Sequence, residues 1–256
     1  MKLTVGLGSV DEYIRFSEAG ADEFFCGYVP YSWTQKYDTM MPLNRREVLC
    51  SNVQLGAFSE LEILSSMIRD YQRPVHLTFN SLFYLPEQYP EITKIMKACM
   101  CLGFQSYIIA DPALILYLRE HNIDCEIHLS GETGEVNSQM VDFFQQFSLK
   151  RVIFHRKNSF DDMKAVIDAE KSHGGLRAET DFEAFILNEM CQFTGWSLLI
   201  TPVIPWYPNI FVHPHLSLPC RFPRQIHLNC LMDISAVPPA VDSVLFTAFG
   251  KSALLT

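Results

Sequence analysis

The sequence predicts an α/β fold, a TIM-like (β/α)8 barrel, on three observations. Short β-rich runs alternate with helix-length amphipathic runs along the whole chain, the pattern of βα units around a parallel sheet. Eight strand candidates can be counted, enough to close such a sheet. The same periodicity would suit a doubly wound sheet, but no glycine-rich phosphate fingerprint follows the first strand. With 256 residues, 48% of them hydrophobic, the chain can bury one core of this size, so a single domain spanning 1–256 is expected.

The first unit is KLTVGLG followed by SVDEYIRFSEAG, where Ser9 or Asp11 can cap the helix and Gly20 can end it. EFFCGY (23–28) reads as the second strand. A polar segment with Asn44, Arg45 and Arg46 follows, then helical spacing of Leu61, Ile63, Leu64, Met67 and Ile68 over 58–72. VHLTFN (75–80) precedes a helix near 89–102, and SYIIAD (106–111) precedes PALILYLREH. EIHLS (126–130) precedes a helix over 137–147, and RVIFH (151–155) precedes one over 159–171. FEAFIL (182–187) and VDSVLFTAF (241–249) supply the last two strands. Between them lies an insertion near 190–235, in which prolines crowd among Cys191, Cys220, Cys230 and three histidines; loops this long in compact domains usually carry function.

Four strands end in polar residues, Asn80, Asp111, Ser130 and His155. The carboxyl ends of barrel strands form one rim, so these side chains are expected at a common mouth, the candidate site.

Composition narrows the function classes. The formal charge is −9 with scattered basic residues, a field that disfavours strong unaided nucleic-acid binding but leaves room for a local basic groove or an RNA brought by a partner. The N-terminus meets an acidic residue before an apolar run could reach leader length, and LLITPVIPW is short and broken by two prolines. A cytoplasmic protein without membrane insertion is expected. Eight cysteines in a reducing compartment favour a metal or cluster over a disulfide framework, although a thiol is also a good core residue.

Several phrases occur in a fixed order: GADEFFCG, PVHLTFN, GFQSYIIADPALILYLRE, EIHLSGETGEVNSQMVDFFQQFSLKRVIFHR and EAFILNEMCQFTG. In that order and spacing the chain resembles the peptidase U32, or collagenase-like protease, family over about residues 4–250. The resemblance implies either a collagenase-like peptidase or the branch whose members look like iron–sulfur proteins supporting oxygen-independent hydroxylation of RNA bases or ubiquinone precursors. It implies a cluster, of the 4Fe-4S type, held by cysteines matching Cys191, Cys220 in Pro219-Cys220-Arg221, and Cys230. The second cysteine of the family pattern is absent, because Thr194-Gly195 is followed by Trp196 and Ser197; Cys26 is the first reserve for the missing ligand. Zinc on the same thiolates with His213 or His215, or no metal, are the alternatives. The chain also departs from the family at Leu187-Asn188 and Arg156-Lys157, where His-Gly and Arg-Glu are usual.

The expected catalytic residues are His128, Arg156 and Glu183. His128 is either a proton carrier or a hydrogen-bonded interior histidine. Arg156 offers a cation for an anionic group or is a fork tied to a loop carboxylate, and Glu183 is a carboxylate near the seventh strand's end or a structural ion-pair partner. Asn80, Asp111, Ser130 and Asn137 are the substrate-binding candidates. Without an acid placed beside His128, a Ser-His pair cannot be argued, and no His-Glu-x-x-His helix exists. Family relatives that work in pairs imply a second U32-like subunit as a partner, with this chain either an enzyme or its non-catalytic companion.

Overall fold

The computed structural model describes residues 1–38, 41–45, 54–173 and 180–186, and the backbone of a strand at 244–248. Strands β1 (Leu3–Gly6), β2 (Glu23–Gly27), β3 (Val75–Phe79), β4 (Ser106–Ile109), β5 (Glu126–Leu129), β6 (Leu149–Ile153), β7 (Asp181–Phe185) and β8 (Val244–Ala248) form a closed parallel barrel in sequence order. Closure is made by β8, which pairs with β7 on one side and sets Phe246 against Leu3 of β1 on the other. This is the expected barrel, including the eighth strand.

The helices are α1 (Glu12–Glu18), α2 (Tyr31–Tyr37), α3 (Phe58–Tyr71), α4 (Tyr89–Cys101), α5 (Pro112–Glu120), α6 (Ser138–Gln145) and α7 (Phe160–His173). Their ends follow local chemistry. Asp111 and Asn137 cap α5 and α6 through their side chains, and Pro112 sits in the first turn of α5, where no amide donor is needed. Gly20 and Gly103, at φ of about 100°, turn the chain out of α1 and α4 in a conformation open to glycine without a Cβ penalty. At α1 the expected cap is different: Asp11 holds the position but its carboxylate accepts from the Ser9 hydroxyl, while Glu12 takes the Gly8 amide. Helix α2 was expected as polar loop. It folds around Trp33, which is buried and donates through Nε1 to the Met41 carbonyl.

Alternation along the strands divides two interiors. Phe24, Leu77, Tyr107, Ile127, Val152 and Phe182 face the helices and form the apolar core with Tyr13, Leu61, Leu64, Ile92, Met96 and Leu118. Their neighbours Glu23, His76, Ser106, His128, Arg151 and Glu183 point into the barrel, where all are buried. No helix among the described residues is long and apolar enough to cross a membrane.

Candidate functional site

The barrel interior is a polar layer rather than an apolar plug. Arg151 of β6 crosses the lumen to Glu23 of β2 at 2.7 Å and holds Glu183 of β7 at 3.0 Å. His76 lies between Glu23, 3.1 Å from Nε2, and the Ser106 hydroxyl, 2.5 Å from Nδ1. Burial holds His76 below the usual histidine range despite Glu23, so its neutral ring donates from Nε2 to the carboxylate and accepts from Ser106 at Nδ1. Lys2 closes the network at 2.6 Å from Glu23.

The two carboxylates on Arg151 differ in protonation. For Glu23, burial opposes ionisation, but the His76 hydrogen bond, the Arg151 charge and Lys2 together outweigh it and hold the carboxyl well below its ordinary range. For Glu183, Arg151 does not offset a deeper burial, and the nearby Glu23 and Asp181 charges add to the upward push, bringing it to about 7. One guanidinium thus supports one firmly ionised carboxylate and one that titrates near neutrality.

His128 sits inside this layer, its ring centroid 4.5 Å from that of His76. Burial first, then competition with the adjacent His76 for a proton and the Arg151 charge, hold it well below the usual histidine range. Its Nδ1 has no hydrogen-bond partner among the described residues. The structure places this ring in the barrel interior. Glu183 likewise takes the ion-pair position.

The carboxyl rim carries a second polar group. Glu132 lies in a 3-10 turn, Gly131–Thr133, directly after β5. Its Oε2 meets Arg45 at 2.9 Å and its Oε1 meets Arg156 at 3.3 Å. Arg45 arrives from the β2–α3 connection, and that segment is tied down by Arg45 N–H to Asn80 Oδ1, Ser81 hydroxyl to Pro42 carbonyl and Tyr84 hydroxyl to Leu43 carbonyl. Arg156 also lies over the Phe185 ring, 5.3 Å from its centroid. Lys157 extends the rim toward Glu135 at 3.9 Å. His155 is buried here. Desolvation lowers its basicity, partly offset by Glu132 and Glu135, and its Nδ1 accepts the Lys157 amide, leaving the proton of the neutral ring on Nε2.

The expected substrate-binding residues are divided between the rim and the ends of helices. Asn80 stands at the rim, where Arg156, one of the expected catalytic residues, also lies. Asp111 accepts from the Ala113 and Tyr84 amides and the Tyr89 hydroxyl, Ser130 accepts the Glu132 amide, and Asn137 accepts the Met140 amide. These three are helix or turn caps, the commonest use of such residues before a helix. Arg45 and Glu132 at the rim, and Glu23, His76 and Arg151 inside, were not singled out. The in-phase position of Glu23, His76, His128, Arg151 and Glu183 on otherwise apolar strands is the signal that marks the inner five.

Cys26, the first reserve for the missing cluster ligand, would have to face the mouth to serve there. It does not, because strand alternation with Glu23 and Phe25 inward turns residue 26 outward, where it packs in the helix-facing core beside Leu77. A thiol in that apolar setting does not fit a cluster ligand shared with the mouth. Cys191, Cys220 and Cys230 lie outside the described residues, as do Cys50, His213 and His215. Among the described residues no group of three or more His, Cys, Asp or Glu side chains could hold a metal ion.

Comparison with known proteins agrees with this architecture. The chain is 30% identical over 105 residues to tRNA hydroxylation protein P of Escherichia coli strain K12, covering 41% of this chain and 22% of that protein. It is 26% identical over 136 residues to the protein of the same name from Haemophilus influenzae, covering 53% and 27%. The alignments therefore span well under half the length of either relative. Among solved structures the U32 peptidase Mk0906 superposes with a TM-score of 0.56 at 13% identity, covering 98% of this chain and 94% of that one, a likeness of fold. The profile of peptidase family U32 matches residues 8–200. A parallel barrel with a polar lumen, the ordered phrases along its strands and that match together place the chain in peptidase family U32.

Proposed function

We propose that this chain serves an oxygen-independent hydroxylation of an RNA base, with the substrate presented at the carboxyl rim of the barrel. The observation that carries the reading is the rim itself: Arg45 and Arg156 converge on one point from separate loops, close to Asn80 and His155. Paired guanidiniums suit the anionic backbone of a nucleic acid on a chain whose overall charge is −9. The shared alignment with two proteins named for tRNA hydroxylation supports the same substrate class. A quinone precursor is the other substrate class within this reading.

An iron–sulfur cluster on Cys191, Cys220 and Cys230 is part of the proposal, with a fourth ligand other than Cys26. Such a cluster would supply electron transfer. The protein's own share is to hold the base near the rim and to keep the lumen polar yet closed. Iron and acid-labile sulfide, measured with the absorption spectrum of protein purified without oxygen, test the cofactor; stoichiometric zinc or no metal would reject it.

The activity is tested by mass spectrometry of nucleosides from RNA of cells with and without the chain. The expected result is a base carrying one extra oxygen that disappears on deletion and returns with the intact chain but not with Arg156→Ala. An unchanged nucleoside profile, with peptide cleavage that depends on His128, would replace this reading with the peptidase. Activity appearing only after a second U32-like chain is added would make this chain a subunit.

A further inference from the structure

Glu132 occupies an unusual position for a surface carboxylate. Each of its oxygens is held by a different arginine, and the two arginines come from loops far apart in sequence. The three side chains are 16%, 25% and 27% exposed, for Glu132, Arg45 and Arg156 respectively, so the cluster lies at the rim, with the Arg45 nitrogen that meets Glu132 buried beneath it. The backbone carrying Glu132 is fixed. Its amide donates to Ser130 Oγ at 3.2 Å, and the Thr133 hydroxyl donates to the Ala110 carbonyl at 3.0 Å. A Cβ on Gly131 would fall 2.7 Å from the Phe154 carbonyl oxygen, so this turn lies directly against the end of β6. Glu132 can therefore leave the cluster by rotation of its side chain, without moving its turn.

We propose that Arg45 and Arg156 form a phosphate subsite for the RNA substrate, and that Glu132 fills it in the free chain as an internal competitor. The inference rests on the RNA reading above and names the atoms that would meet the backbone. Glu132 is the carboxylate that Arg45 and Arg156 share, so when it turns away one point at the rim is opened to guanidinium groups from two loops. A tethered carboxylate competes at an effective concentration of roughly millimolar, which a free carboxylate of the same charge cannot readily overcome. A phosphate within a polyanion has the further gain of counterion release, and its oxygens suit guanidinium forks approaching from two directions. The competitor thereby selects for phosphate chains over small carboxylates.

The test is fluorescence anisotropy of the full chain with a labelled short single-stranded oligoribonucleotide. Glu132→Gln is expected to tighten binding about tenfold, roughly the effect of removing one charge-assisted hydrogen bond from the competitor. Glu62→Gln, an equal charge change at an exposed position on α3, is expected to leave affinity near its starting value. Adding Arg45→Gln or Arg156→Gln to Glu132→Gln should reverse the gain and flatten the dependence on log salt by about one for each arginine replaced. Inorganic phosphate should displace the oligonucleotide at concentrations where acetate of matched ionic strength does not. Equal affinities for Glu132→Gln and Glu62→Gln, a gain that survives replacement of both arginines, or equal competition by acetate would each overturn the subsite. Thermal unfolding of every variant checks folding. If Glu132→Gln does not fold, Arg45→Gln in the otherwise unchanged chain decides: weaker binding supports the subsite and unchanged binding rejects it. Oligonucleotide binding that follows these variants, without any base gaining oxygen, would leave the subsite standing and remove the hydroxylation. Base oxidation with binding indifferent to Glu132 would do the reverse.

Discussion

Replacing Glu183 with glutamine isolates the second carboxylate on Arg151. In the native fold this side chain is almost fully buried, 3.0 Å from a guanidinium that already serves Glu23, and it titrates at about 7 rather than at 4.5. The folded chain therefore holds this proton more tightly than the unfolded chain. Below the unfolded value both states are protonated and the contribution to stability is fully present. As pH rises from about 4.5 through about 7 it is lost, an amount on the order of 3 kcal/mol if the whole displacement is expressed. Glutamine keeps the shape and a hydrogen-bond acceptor for Arg151 but cannot ionise. The assay is urea unfolding at intervals from about pH 5 to about pH 8, with the variant subtracted from the native protein. The buried histidines work in the opposite sense, since His76, His128 and His155 stay neutral in the fold while the unfolded chain protonates them as pH falls. Their contribution is common to both proteins and cancels in the difference. The expected difference curve falls with rising pH, and above neutrality the variant equals or exceeds the native chain. A flat difference curve would refute the assignment of Glu183 as the surplus carboxylate.

Two further outcomes follow from the same geometry. Arg151→Met leaves Glu23 and Glu183 buried together without the cation they share and should cost about 3–5 kcal/mol, lowering the thermal midpoint by roughly 10 °C; adding Glu183→Gln should recover part of the loss. Asp111→Ala removes the cap of α5 and leaves the buried Tyr84 amide without its carboxylate, an expected loss of about 2–4 kcal/mol in urea unfolding, with Asp111→Asn milder.

The barrel was legible because its strands and helices alternate with clear periods, and the structure bears out the eight strands to within about two residues at most ends. Helix α2 was missed because YSWTQKY follows a proline and has a short, mixed pattern, and what fixes it is the burial of Trp33 against the barrel. The candidate site was legible only in part. Strand-final Asp111 and Ser130 look the same in sequence whether they greet a ligand or cap the next helix, and here they cap. Arg45 and Glu132 stand 87 positions apart, so their meeting is a product of the closed sheet and has no local trace. Cys26 shows the strength of the period-two rule, since a shift by one residue decides between lumen and core.

The pairing of Leu3 with Phe246 has a consequence for how such a chain is made. The first strand leaves the ribosome ahead of all the others, yet one of its two neighbours follows only after every other strand has been synthesised, so its free side waits while the rest of the barrel emerges. Contacts so remote in sequence are slow to form, and an unpaired strand in the meantime is a place where another chain can add. The seam between β1 and β8 is therefore where shielding by a chaperone would matter most, and where a nascent chain truncated before residue 244 would be most prone to associate with its own kind.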